Sequence, residues 1–273
     1  MGNVLENSLY VQRPDKFQDL SGEVIRFNNL YNGSNIIQDD IFSILTNYSR
    51  KKGVALELLR FPTDDEDFCA LTCVQKGKIF VYVNSGLPLS NQIFAAAHEL
   101  YHIWRFVEAK DESVLRKGSF LSAATMDDAR SNEDREANAF AGLFLVPYNA
   151  LCEQMKIYEI PMKGQTLEDI IQLMAIFSVP YKAILLRLYE ENCMDKETVQ
   201  GFLSVEKNEL KKTIGYLADA DRWQKNTPEV IRFGSLKKLM EQNKEQELLA
   251  DSRFNSDQAI YQQILHRYGN HRG

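Results

Sequence analysis

The chain has 273 residues, is 44% hydrophobic and 26% charged, and carries 14 Gly and 7 Pro. Those proportions exclude a disordered or collagen-like polymer and leave enough chain to bury a core. The formal net charge of −6 is uneven: residues 205–273 hold 12 Lys+Arg against 10 Asp+Glu, whereas residues 1–204 hold 20 against 28, which is no nucleic-acid footprint for the larger part.

Residues 1–36 are interrupted by Gly22, Asn28-Asn29 and Gly33-Ser34, and are expected to be irregular or partly strand-like. Between Ile36 and Lys52 the apolar residues Ile37, Ile41, Ile44, Leu45 and Tyr48 recur at helical spacing, and Gly53 supplies a stop. Val54–Phe61 suits a buried strand. After Pro62 and the acidic cluster Asp64-Asp65-Glu66-Asp67, two strand-like runs, Phe68–Val74 and Ile79–Asn84, flank Lys76-Gly77-Lys78 and predict a β-hairpin. Ser90 is the expected N-cap of a helix whose apolar face is Ile93, Ala97, Leu100, Trp104 and Val107. Residues 108–130 are polar and read as a loop. A second helix is expected from about Asn132 to Leu145, stopping at Pro147. Thr166-Leu167-Glu168-Asp169 begins another, and Ser178-Val179-Pro180-Tyr181 turns into a further one, Lys182–Asn192, in a helix-turn-helix-like arrangement. Residues 195–273 are charged and mostly helical, with breaks near Asn226-Thr227-Pro228 and Gly234.

Histidine is scarce, with four in the chain, and two of these close the pentapeptide His98-Glu99-Leu100-Tyr101-His102. Shuffling would produce such an H-E-x-x-H pattern about 0.004 times. On a helix, positions i and i+4 share a face, so both imidazoles can reach one zinc ion. Glu99, next in sequence, is placed to take a proton from a water at the metal as that water attacks a carbonyl. A third ligand is needed. The metzincin extension is excluded because Arg105 and Glu108 stand where Gly and His are required. His266 and His271 lie in the C-terminal region and read as surface residues. The acidic start of the second helix leaves Glu133, Asp134 and Glu136 as candidates.

Three segments together resemble the ImmA/IrrE family of zinc metallo-endopeptidases. They are Val81-Tyr82-Val83-Asn84 through Phe94-Ala95-Ala96-Ala97-His98-Glu99-Leu100-Tyr101-His102, then Asp134-Arg135-Glu136-Ala137-Asn138-Ala139-Phe140-Ala141 running to Leu145-Val146-Pro147, then residues 166–192. The second is similar to the family pattern E-x-x-A-N-x-F-A…L-x-P. The resemblance covers roughly residues 36–192. It implies His98, His102 and a carboxylate four residues before Asn138 as metal ligands. That position is Asp134, where the family has Glu, and Glu133 is the second choice, since one residue turns a side chain by about 100°. Asn138 is the candidate to hold a ligating imidazole from outside the coordination sphere.

What the resemblance implies is an α+β fold: a zincin-like core of a small β-sheet packed on the H-E-x-x-H helix, followed by a helical C-terminal region. The organisation expected is residues 1–160 as a zinc metallopeptidase domain, 161–204 as a helix-turn-helix-like segment and 205–273 as a charged helical tail. The implied activity is zinc-dependent endoproteolysis of a helix-turn-helix transcriptional repressor or antitoxin, relieving repression of a mobile element, stress or defence gene. A second reading is a non-catalytic module that binds a regulator, such as the toxin of a toxin–antitoxin pair, with a residual metal site.

Other features fit an intracellular setting. No apolar run reaches the roughly 18 residues of a spanning helix, and Met1–Glu6 lacks the basic and apolar regions of a signal peptide. The cysteines at 69, 73, 152 and 193 form no Cys-x-x-Cys pair, so a reducing, cytoplasmic location is expected, with no membrane partner. Cys69 and Cys73 read as core thiols. The second helix of the helix-turn-helix-like pair, with Lys182, Arg187, Glu190 and Glu191, is not strongly basic, so packing or protein docking is expected before DNA contact.

Overall fold

The computed structural model describes residues 4–31, 35–109, 119–122, 129, 131–217 and 220–269. The amino-terminal region departs from expectation: it is helical, with α1 (Leu9–Gln12) followed by α2 (Pro14–Tyr31). The breakers masked a stripe, Phe17, Leu20, Val24 and Phe27, whose 3-4-3 spacing buries one face. A Cβ at Gly22 would meet nothing within 4 Å, so this glycine sits in the helix at a propensity cost of only about 1 kcal/mol. A short 3-10 turn then leads into α3 (Ile41–Lys51), which buries Ile41, Ile44, Leu45 and Tyr48.

The sheet has five strands in the order β4-β2-β3-β1-β5. β1 (Leu56–Phe61) runs parallel to β3 (Lys78–Asn84), with Leu56 opposite Ile79. β2 (Phe68–Gln75) and β3 form the predicted hairpin, Gln75 opposite Lys78. Lys76 and Gly77 both have positive φ, 51° and 74°, which is what a two-residue hairpin turn requires. Within the stretch expected to be a loop, Ser119–Ser122 forms an edge strand, β4, antiparallel to β2, and Glu108 belongs to the preceding helix. Its pairing partner, rather than its own polar composition, makes it a strand. Residues 110–118, 123–128 and 130 of that stretch lie outside the described residues.

The central helix α4 (Leu89–Ala109) starts one residue earlier than its expected cap. The Pro88 carbonyl accepts from the amides of Asn91 and Gln92, so Ser90 lies inside the first turn. Ile93, Ala97 and Leu100 are fully buried as predicted, but so are Ala95, Ala96 and Ile103. A helix apolar on more than one face belongs inside a core, and α4 packs on β2 and β3 as well as on α3 and on α5 (Asn132–Leu145).

Beyond α5 come α6 (Tyr148–Ile157), α7 (Leu167–Phe177) and α8 (Tyr181–Glu190). Thr166 and Asp169 form a capping box on α7. The chain bends by 104° between α7 and α8, through Ser178 in the left-handed region. Ala183, Ile184, Leu185, Arg187 and Leu188 of α8 are buried, so most of that helix faces protein. Arg187 donates through Nε to the Val146 carbonyl at 3.1 Å and pairs with Glu190 and Glu191, tying the turn to the end of α5.

The C-terminal region contains α9 (Lys196–Leu203), α10 (Lys207–Tyr216), α11 (Ala220–Trp223), β5 (Arg232–Phe233), α12 (Leu236–Glu245) and α13 (Asp251–Gly269). β5 adds antiparallel to β1, and Trp223 is buried. The Leu89 amide donates to the Lys225 carbonyl, the Thr227 amide to that of Ser85, and Ser85 Oγ to that of Val230. These bonds brace the start of α4 from the far end of the chain. Among the described residues no single helix is long and apolar enough to cross a membrane.

Candidate metal centre

Burial sets the problem that this site solves. His98, Glu99 and His102 are all buried, at 0%, 0% and 2% exposure, and buried polar side chains are costly unless something satisfies them. Their helical spacing puts the two imidazoles on one face of α4, with Nε2 facing Nε2 at 3.2 Å. The other ring nitrogens look outward to α5. His98 Nδ1 meets Asn138 Oδ1 at 2.8 Å, and His102 Nδ1 meets Glu133 Oε1 at 3.1 Å.

Oxygen acceptors at both Nδ1 atoms favour the tautomers in which Nδ1 carries the proton. The Nε2 lone pairs then point toward each other. Asp134 comes to the same place from α5: one donor atom each from His98, His102 and Asp134 lie within 4.8 Å of one another. Two converging lone pairs and a carboxylate are mutually repulsive alone and complementary to a cation, so the residues fit a metal ion. His/His/carboxylate is also the ligand set of catalytic rather than structural zinc sites, with a position left for water.

The cap of α5 orients Asp134. Ser131 Oγ accepts from the Asp134 amide at 2.9 Å and donates to Asp134 Oδ2 at 2.8 Å. The Ser-x-x-Asp spacing is a helix-start signature visible in the sequence, and Ser131 was the site residue that reading missed. A second tie joins the same two helices. Tyr101, buried between the histidines' turn and α5, donates its hydroxyl to Glu136 Oε2 at 2.5 Å. Arg13 and Lys16 flank that carboxylate at 4.0 Å. Glu136 is thereby turned away from the histidines, as its position on the helix predicts.

The electrostatics divide the two imidazoles. Burial holds the His98 pKa well below the usual imidazole value, the neighbouring His102 adds to this, and Asn138 opposes it. Burial also disfavours charge on His102, but the hydrogen bond to Glu133 and the charges of Glu99, Glu133 and Asp134 outweigh it and raise its pKa. The Glu133 carboxyl is correspondingly held low by its hydrogen bond to His102.

The structure thus brings together His98, Glu99, His102, Asp134 and Asn138. Glu133 stands on the outer edge of His102, away from the Nε2 atoms. His266 is exposed on α13, and His271 lies outside the described residues. None of the four cysteines is in a disulfide, and among the described residues none joins the metal-ligating group.

Residues 41–189 match the peptidase M78 family, described as the IrrE N-terminal-like domain. No curated protein matches the chain. Among solved structures, a Mycobacterium tuberculosis transcriptional regulator is similar at 18% identity and a TM-score of 0.39, over 62% of this chain and 46% of that one. The chain thus spans less than half the length of that regulator.

Proposed function

This chain belongs to the peptidase M78 family of IrrE N-terminal-like domains, a metallopeptidase family, and on that premise we propose that it is a cytoplasmic zinc-dependent endopeptidase whose substrate is a helix-turn-helix repressor or antitoxin. The observation that carries the reading is the convergence of His98, His102 and Asp134 beside the buried Glu99. A structural metal site has no use for that glutamate. The substrate class follows the family resemblance, and the acidic balance of residues 1–204 suits a basic, DNA-binding target protein.

In this reading His98 Nε2, His102 Nε2 and the Asp134 carboxylate hold the ion. When bound, zinc would supply Lewis acidity, polarising the scissile carbonyl and acidifying a water. Glu99 accepts the proton of the attacking water and returns it to the departing amine, so that water is added across one peptide bond. Asn138 and Glu133 keep the two rings in the tautomer that presents Nε2. Buried surroundings keep both rings and Glu99 from rearranging as charge develops.

The test is a cleavage assay on a purified helix-turn-helix regulator, taken first from any that is encoded beside this gene. Wild-type protein should cut it, and Glu99→Gln should keep the metal yet lose cleavage by at least a hundredfold. Unchanged cleavage by Glu99→Gln overturns the proposal. A wild-type protein that binds zinc and the regulator in equal amounts but never cuts would support the sequestering module instead.

A further inference from the structure

Two helices of this chain begin with the same signature, a hydroxyl residue followed three positions later by Asp, and they use it differently. At the start of α7 the Thr166 hydroxyl accepts from the Asp169 amide, and Asp169 Oδ2 accepts from the Thr166 amide at 2.8 Å, which closes a capping box. At the start of α5 the first half is the same, with Ser131 Oγ accepting from the Asp134 amide at 2.9 Å. The second half differs: Asp134 Oδ2 takes the proton of the Ser131 hydroxyl at 2.8 Å. The arrangement on α7 already satisfies the needs of a cap, so capping alone does not account for the one on α5. What distinguishes Asp134 is its neighbours. One of its carboxylate oxygens lies within 4.8 Å of a ring nitrogen of His98 and of His102.

The consequence is chemical. A carboxylate can bind a cation through one oxygen or through both. A hydroxyl has a single proton, and that of Ser131 is directed to Oδ2. A hydrogen bond to an anionic oxygen is charge-assisted and strong, and it occupies a lone pair that a metal would otherwise use. Oδ1 is then the better ligand atom. The hydroxyl is itself held from the other side, because its lone pair engages the helix amide. The rotation of the carboxylate is thereby tied to the backbone of the first turn.

We propose that Ser131 is a positioning residue that makes Asp134 a one-oxygen ligand, giving Oδ1 to the metal and keeping Oδ2 out of the coordination sphere, a step that rests on the reading of Asp134 as a ligand. With His98 and His102 this gives three protein donor atoms, the number found in catalytic zinc sites. A two-oxygen Asp134 would supply a fourth and take the position that such sites leave to water.

The experiment is cobalt(II) titration of the full chain, read by the visible absorption of the bound ion. That absorption is strongest in tetrahedral geometry, which has no centre of inversion, and weakens when a fifth donor enters. Ser131→Gly removes the hydroxyl but keeps most of the cap, because glycine caps nearly as well as serine. It should lower the molar absorption at least about twofold, and Ser131→Thr, which keeps the hydroxyl, should match wild type. Ser131→Ala loses the cap as well and should change the spectrum no more than Ser131→Gly. A wild-type spectrum for Ser131→Gly, a loss that Ser131→Thr shares, or an effect confined to Ser131→Ala overturns the proposal and leaves Ser131 as a cap. Asp134→Ala tests the ligand itself and should weaken cobalt binding at least about a hundredfold. If it does so while Ser131→Gly is unchanged, the ligand stands and the role of Ser131 falls. If Asp134→Ala binds cobalt as wild type does, the ligand assignment fails and the role of Ser131 falls with it.

Discussion

The carboxylate of Glu133 lies 3.1 Å from Nδ1 of His102, on the edge of the ring turned away from His98. A carboxylate in that position fixes the tautomer and strengthens the ring as a ligand without touching the ion. Glu133→Gln should therefore weaken zinc binding about 10–100-fold, whereas Asp134→Ala should weaken it far more. Chelator competition on both variants separates the roles. Equal losses would place Glu133 in the coordination sphere.

Acid should release the C-terminal region before it unfolds the core. Burial acts to raise the Glu57 pKa, but hydrogen bonds from Lys78 and from the side chain and backbone of Ser235 outweigh it and hold the carboxyl below its ordinary value. A carboxylate with a lowered folded pKa stabilises above its unfolded pKa, and that contribution disappears as pH falls through the folded value. Amide exchange in the Asn226–Ser235 segment should accelerate across that acidic window, ahead of exchange in α4.

The same contact makes Gly234 sensitive. Its φ is +54° and an added Cβ would lie 2.1 Å from Glu57 Oε2. Gly234→Ala should loosen β5 from β1 at neutral pH, detected as faster proteolysis near Asn226–Gly234, while zinc affinity stays within twofold of wild type.

Phe27 meets five aromatic rings, those of Tyr31, Tyr48, Trp104, Phe140 and Phe144. Truncation there removes the keystone between α2, α3, α4 and α5. Phe27→Ala should cost about 3–5 kcal/mol of stability in denaturant unfolding.

Arg187 is buried and pairs with the buried carboxylate of Glu190 and the partly exposed one of Glu191. Removing only the cation strands a buried carboxylate, which typically costs about 3–5 kcal/mol. Arg187→Ala should destabilise by that order, and adding Glu190→Gln should recover a substantial part. If the double variant is as unstable as the single one, the loss is packing rather than charge.

Where local chemistry decides, the sequence was readable. The β2–β3 hairpin follows from Lys76-Gly77, α5 from its apolar face and the stop at Pro147, and the two histidines from their four-residue spacing. Elements that depend on a partner were not readable. β5 is two residues long and has no periodicity of its own, and β4 is a strand because β2 lies beside it. In the amino-terminal region, the breakers Gly22 and Asn28-Asn29 hid a stripe whose value lies in the aromatic cluster that it meets.

By itself the sequence determined that two imidazoles and a glutamate share a helix, because 3.6 residues per turn is a local property of the backbone. It also offered the carboxylates at the start of α5, Glu133, Asp134 and Glu136, as candidates for a third ligand. Only the tertiary structure groups Asp134, and not Glu133, with the two histidines as a candidate metal site. That choice depends on the rotation of α5 against α4, which is set by Ser131, by the Tyr101–Glu136 bond and by packing across the core, and no spacing within one helix encodes it.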